Sequence, residues 1–174
     1  MAIAIQHKRG VLANRPSLLA GELYCATDTN QVSLGPTPVF LGSPIVAAIN
    51  LTGQTAAKTA TLLFTPSVTG FFRIHCALKV TTAATTSCTL GGSTGVVITY
   101  TDGDGSVAMS QTMALQTTAG AVAINSSTNT TANQLNGTMV VFAKTGVAIN
   151  YAIGYTSSGA TVMQYSAHLR CEAM

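Results

Sequence analysis

The chain has 174 residues, enough for one ordinary domain or for a small module followed by one domain, and 47% of them are hydrophobic, which excludes a disordered segment. Only 7% are charged, against roughly 25% in an average soluble domain, so little charge is available to keep copies of the chain apart. The net charge is +3, and no basic stripe with interleaved aromatics is present, which argues against nucleic-acid binding.

The first region runs from Met1 to about Pro44. A short strand is expected over Ala2 to His7. Its apolar stretch precedes Lys8 and Arg9, whereas a signal peptide places charge first and then a longer apolar run. Nothing in the chain approaches the roughly 20 apolar residues that span a bilayer, so no membrane partner is expected. A turn-rich stretch with Gly10, Asn14 and Pro16 leads to Gly21-Glu22-Leu23-Tyr24-Cys25-Ala26. Thr27-Asp28-Thr29-Asn30 then favours a tight turn, and Gln31-Val32-Ser33-Leu34-Gly35 returns, giving a hairpin. Pro36, Pro38 and Pro44 mark an extended linker.

The second region, from about Ile45 to Met174, alternates apolar and polar residues, the period of half-buried strands. In Gly70 to Val80, Phe72, Ile74, Cys76, Leu78 and Val80 share one face, while Phe71, Arg73, His75, Ala77 and Lys79 share the other. Gly146 to Thr156 places Val147, Ile149, Tyr151, Ile153 and Tyr155 inward. Val162 to Ala173 does the same with Met163, Tyr165, Ala167, Leu169 and Cys171. Further strands are expected at Ile45 to Leu51, Thr59 to Phe64, Gly95 to Thr101, Val107 to Gln116, Ala121 to Ser126 and Gly137 to Lys144. About nine short strands without a helical period indicate an all-β chain, with residues 1–44 a small β module and residues 45–174 an antiparallel β-sandwich of jelly-roll type.

The polar strand faces carry Ala, Ser, Thr, Asn and Gln more than Lys or Glu. Small uncharged side chains suit a close hydrogen-bonded contact between subunits, and a homotrimer with a closed three-fold axis is the simplest expectation.

Catalytic and metal chemistry finds little footing. The acids are Glu22, Asp28, Asp102, Asp104 and Glu172, too few for a paired-carboxylate cleft. Asp102-Gly103-Asp104-Gly105 opens like a calcium loop, but its twelfth position is Met113, so a hairpin turn using Asp and Gly at positive φ is expected. His7, His75 and His168 lack ligand spacing, and His75 and His168 could meet only if their strands are neighbours. Cys25, Cys76, Cys88 and Cys171 form no CxxC pair and are expected as reduced, partly buried thiols. Gly91-Gly92-Ser93-Thr94-Gly95 is a loop with no following helix to receive a phosphate. The sequons at Asn50, Asn125, Asn129 and Asn136 fit chance in a Thr-rich chain. No enzyme activity, catalytic residue, metal or cofactor is expected.

One resemblance adds to this reading. Ile5-Gln6-His7-Lys8-Arg9-Gly10, Pro16-Ser17-Leu18-Leu19-Ala20-Gly21-Glu22-Leu23, Thr27-Asp28-Thr29 and Val32-Ser33-Leu34-Gly35 follow in the order of pieces seen in the N-terminal domain of the phage major tropism determinant family, which they resemble over about a quarter of the chain. His7-Lys8 stands before Arg9 where the family often has a basic pair, and Gly35-Pro36 replaces its Gly-Asp/Asn-Gly close. The resemblance implies a trimeric β-structure anchoring a virion fibre or tail protein, with Gln6, Lys8, Arg9, Glu22 and Asp28 as candidate attachment residues. It implies a phage origin and nothing about enzyme activity; with the residue-level reading above, a non-enzymatic protein of a tailed-phage particle, made in the bacterial cytoplasm, is expected. The expected partners are its own copies, other capsid or tail proteins, and a host-surface glycan or receptor. A capsid cement or decoration protein and a carbohydrate-binding module are the alternatives.

Overall fold

The computed structural model describes residues 7–10, 23–26, 31–34, 45–91, 95–117, 122–123, 129, 131 and 134–174. All regular structure among them is strand. No described helix is long and apolar enough to cross a membrane, which leaves β-barrels unaddressed.

Three short strands belong to the first region: β1 (His7–Gly10), β2 (Leu23–Ala26) and β3 (Gln31–Leu34). β2 and β3 form the expected antiparallel hairpin, with Ala26 opposite Gln31 across the Thr27–Asn30 connection. β1 pairs with β2 in parallel, His7 opposite Leu23. Tyr24 is buried. The expected strand over Ala2–Gln6 and the Pro36–Pro44 linker lie outside the described residues.

The second region contains β4 (Ile45–Gln54), β5 (Lys58–Phe64), β6 (Gly70–Thr82), β7 (Ser87–Leu90), β8 (Val96–Thr101), β9 (Ala108–Met113), β10 (Leu115–Thr117), β11 (Val122–Ala123), β12 (Gln134–Ala143), β13 (Ile149–Ile153), β14 (Tyr155–Ser158) and β15 (Gln164–Ala173). They build a six-stranded sheet, order β11-β10-β12-β6-β15-β4, a four-stranded sheet, order β5-β13-β8-β9, and a two-stranded ribbon of β14 and β7. Every pairing in this region is antiparallel. The architecture is an all-β sandwich. These strand orders do not establish jelly-roll connectivity.

The alternation in sequence decides which face is dry. Phe72, Ile74, Cys76, Leu78 and Val80 of β6 and Tyr165, Ala167, Leu169 and Cys171 of β15 are buried. They join Val96, Ile98 and Tyr100 of β8 and Ile149, Tyr151 and Ile153 of β13 in one core. Each fully buried large side chain of this kind contributes about 1.5–3 kcal/mol. Burial pushes the thiols of Cys76 and Cys171 up to about 12, and the three described cysteines, Cys76, Cys88 and Cys171, are free and buried. Cys25 sits on β2. Two tyrosines tie the core to its rim: Tyr165 donates to the Ala56 carbonyl at 2.9 Å and Tyr155 to the Met163 carbonyl at 2.8 Å.

Several boundaries differ from the sequence expectation, each for a local reason. The segment read as one strand from Gly146 to Thr156 divides at Gly154, and Val147 is exposed rather than inward. Gly91, at φ 86°, donates to the Gly154 carbonyl at 2.8 Å, and this joint steps the β8–β13 pair into the β7–β14 ribbon. The segment from Val107 to Gln116 divides at Ala114, where the chain leaves the four-stranded sheet and joins the six-stranded one. Leu115 then lies opposite Gly137 of β12. A Cβ on Gly137 would stand 2.7 Å from the Ala114 carbonyl oxygen and 2.8 Å from both Leu115 Cδ2 and Met113 Sδ, so only glycine allows this crossing. Gly137→Ala is therefore expected to cost about 1–3 kcal/mol, the usual range for overpacking. Urea denaturation followed by circular dichroism would read this as a lower midpoint; an unchanged midpoint would contradict the crossing geometry.

Candidate functional site

The two outer faces of the sandwich differ in chemistry. On the four-stranded sheet, the outward positions of β8, β9 and β13 are Val97, Thr99, Thr101, Ala108, Ser110, Thr112, Asn150 and Ala152, with Thr99 opposite both Ser110 and Asn150. None is ionisable. Leu62 of β5, opposite Asn150, is 54% exposed. A shallow depression of about 380 Å³ crosses this face between Thr99, Ser110 and Asn150.

The outer face of the six-stranded sheet carries the charge that the other lacks, including Arg73, His75 and Lys79 on the outward side expected from the alternation of β6. The register sets its side chains in rows across the strands. Thr138 of β12, His75 of β6 and Arg170 of β15 form one row. Asn136, Ala77, His168 and Asn50 of β4 form the next. Val140, Arg73 and Glu172 form a third. Because β6 and β15 are neighbours, His75 and His168 do come onto one surface, offset diagonally. His75 Nδ1 lies 3.0 Å from Thr138 Oγ1, and His168 Nδ1 lies 2.9 Å from Asn50 Oδ1. Glu172 Oε2 is 3.7 Å from Arg73 Nη1 and 3.5 Å from His75 Nε2. These pairs are partly exposed and screened, worth about 0–1 kcal/mol each. Between the rows, Ala77 and Ala114 are too small to fill the surface, and Gly137 presents only its backbone there. They leave a groove of about 580 Å³ rimmed by His75, Asn136, Thr138, His168 and Arg170.

The Asp102–Gly105 segment is the expected hairpin turn between β8 and β9, with Asp102 N–H donating to the Val107 carbonyl at 2.8 Å. Asp102 Oδ2 accepts from the Asp104 and Gly105 N–H groups at 3.1 and 2.9 Å. The positive φ falls on Ser106, at 55°, rather than on Asp or Gly, and Ser106 Oγ accepts from Lys144 Nζ at 2.7 Å. Gly103 serves close approach instead: its Cβ would meet the Phe142 ring at 2.5 Å. The turn is thus a clasp on the end of β12. Among the described residues, no three His, Cys, Asp or Glu side chains come together as a metal-binding group.

The remaining sequence candidates are scattered. Lys8 and Arg9 lie on β1, where only backbone is described, as does His7; Gln6, Glu22 and Asp28 lie outside the described residues. Asn129 forms a two-way bridge to Ala84, accepting from its N–H at 2.9 Å and donating to its carbonyl at 2.8 Å, and it accepts from Cys88 Sγ at 3.1 Å. Asn136 accepts from Gln134 Nε2 at 2.7 Å. Of the remaining sequon positions, Asn50 faces His168 and Asn125 is outside the described residues. Arg170 was not singled out from the sequence. Its place on the outward face of the Val162–Ala173 alternation, beside His168, was the available signal.

Comparison with family models, with curated proteins and with solved structures returned no match. The likeness of residues 1–44 to the tropism-determinant domain therefore rests on the sequence pieces quoted above.

Since the Asp102 carboxylate is spent on two backbone N–H groups, Asp102→Ala is expected to lower stability by about 1–2 kcal/mol, equally in excess calcium and in EDTA. Thermal unfolding in the two buffers checks this; stabilisation of the unsubstituted chain by calcium that is lost in Asp102→Ala would contradict the clasp role.

Proposed function

We propose that the chain is a non-enzymatic structural subunit of a tailed-bacteriophage particle that works as a homotrimer, as a head-fibre, tail-fibre or surface protein. The observation that carries this reading is the uncharged outer face of β8, β9 and β13 in the four-stranded sheet. A sheet face that meets water usually shows charge, and charge also blocks unwanted pairing. Here the outward Thr, Ser, Asn and Ala side chains suit burial in a wet, hydrogen-bonded contact.

Two of the four sheet edges support the same reading, whereas β5, the other edge of the four-stranded sheet, begins with Lys58. β9 ends the four-stranded sheet and β4 ends the six-stranded one. Neither Ala108–Met113 nor Ile45–Gln54 carries a lysine, a proline or any charge, the usual devices that keep an edge single. A closed assembly covers such edges, and a three-fold axis does so with one repeated contact. The resemblance of residues 1–44 supplies the phage context and the attachment role of Gln6, Lys8, Arg9, Glu22 and Asp28. A capsid cement or decoration protein would use the same faces.

Light scattering of the purified chain is expected to give three times the 17.8 kDa chain mass. The pair Thr99→Glu and Ser110→Glu is expected to yield a folded species of single-chain mass, because two carboxylates would have to be buried without partners in the contact. A wild-type monomer would contradict the proposal, as would absence of the chain from purified particles analysed by mass spectrometry.

A further inference from the structure

We infer that the groove on the outer face of the six-stranded sheet binds an acidic saccharide, with the Arg170 guanidinium taking its anionic group. This goes beyond the particle-subunit reading and does not rest on it, since one folded chain supplies every group involved.

The inference starts from where scarce charge has been placed. Of the described cations in the sandwich, Arg73, Lys79 and Arg170 stand on this one face, together with His75 and His168, and Glu172 is its sole described acid. Glu172 is already engaged by Arg73 and His75. Arg170 therefore has no carboxylate partner among the described residues. Directly opposite it stands His75, a second potential cation. An anion seated between them would satisfy the guanidinium fork and offset that juxtaposition.

The rest of the groove selects the kind of anion. Asn136 accepts from Gln134 through its carbonyl oxygen, which leaves its amide N–H groups able to donate into the groove. Thr138 adds a hydroxyl and His168 its second ring nitrogen, Nδ1 being held by Asn50. Ala77 and Ala114 form a low apolar floor against which a sugar ring can lie. An extended peptide is disfavoured because the groove crosses β12, β6 and β15, whose backbone groups are already paired. Single-stranded nucleic acid is disfavoured because no Phe, Tyr or Trp ring lines the groove as a stacking platform.

The test is calorimetric titration of the full chain, with its mass read by light scattering in the same buffer. The probes are a galacturonic acid hexamer, a phosphorylated mannose oligomer, neutral maltohexaose and inorganic phosphate. The expected result is saturable binding of at least one acidic oligomer, at least about tenfold tighter than maltohexaose or inorganic phosphate. The two acidic probes distinguish a carboxylate from a phosphate as the recognised group. Arg170→Ala is expected to weaken that binding about tenfold, the loss of one charge-assisted contact. Ala77→Gln, which fills the floor and leaves Arg170 in place, is expected to abolish it. Binding of neither acidic oligomer, equal binding of the neutral one, binding of inorganic phosphate alone, or acidic binding indifferent to both substitutions would overturn the inference. Because mass is read separately, a monomer that binds sugar refutes the trimer and not the groove.

Discussion

The contact between the inner faces of the two sheets is the interaction on which everything else rests. Ile74, Leu78, Leu169 and Tyr165 on one side and Ile98, Ile149 and Ile153 on the other leave almost no surface to water. Strand side chains alternate strictly, so fixing these residues inward also fixes which residues face out. A one-residue slip of β15 would bring Arg170 and His168 into the core and push Leu169 into solvent. The register is therefore held by the same burial that stabilises the fold, and the rows on both outer faces inherit their order from it.

That inheritance gives the sandwich two unlike outer surfaces. One carries Thr99, Ser110 and Asn150, with no ionisable group among the outward positions of β8, β9 and β13. The other carries Arg73, His75, Lys79, His168, Arg170 and Glu172. In a chain with 7% charged residues, such segregation leaves one face suited to contact with copies of the chain and the other suited to recognition. At one end of the charged face, Phe71 and Phe142 pack with ring centroids 4.8 Å apart, and the Asp102–Gly105 clasp closes over Phe142. The glycines are placed by close approach as much as by turning: Gly137 admits the strand crossing and Gly103 admits the clasp.

Much of the fold was legible in the sequence, because period-two alternation is a direct consequence of burial on one side. β6 and β15 showed it cleanly, and each inward residue named there is buried. β7 was not legible, since Ser87–Leu90 is short and Thr-flanked. The crossing at Ala114 was not legible either, because it depends on a contact with Gly137, distant in sequence. For the candidate groove, the sequence placed His75 and His168 on outward faces but held no information on which strands pair. Only the β6–β15 register brings the two histidines, Thr138 and Arg170 around Ala77. The attachment role proposed for Gln6, Lys8, Arg9, Glu22 and Asp28 of the first region comes from a resemblance, and the sandwich geometry adds nothing to it.

The central claim is that the uncharged face and edge of the four-stranded sheet are covered by another copy of the chain. Hydrogen–deuterium exchange of the β9 amides that point away from β8, across a dilution series, measures this cover directly. The account predicts slow exchange at high protein concentration that becomes fast on dilution, while the β6 amides, paired on both sides within one chain, stay slow throughout. Fast β9 exchange at every concentration would contradict it.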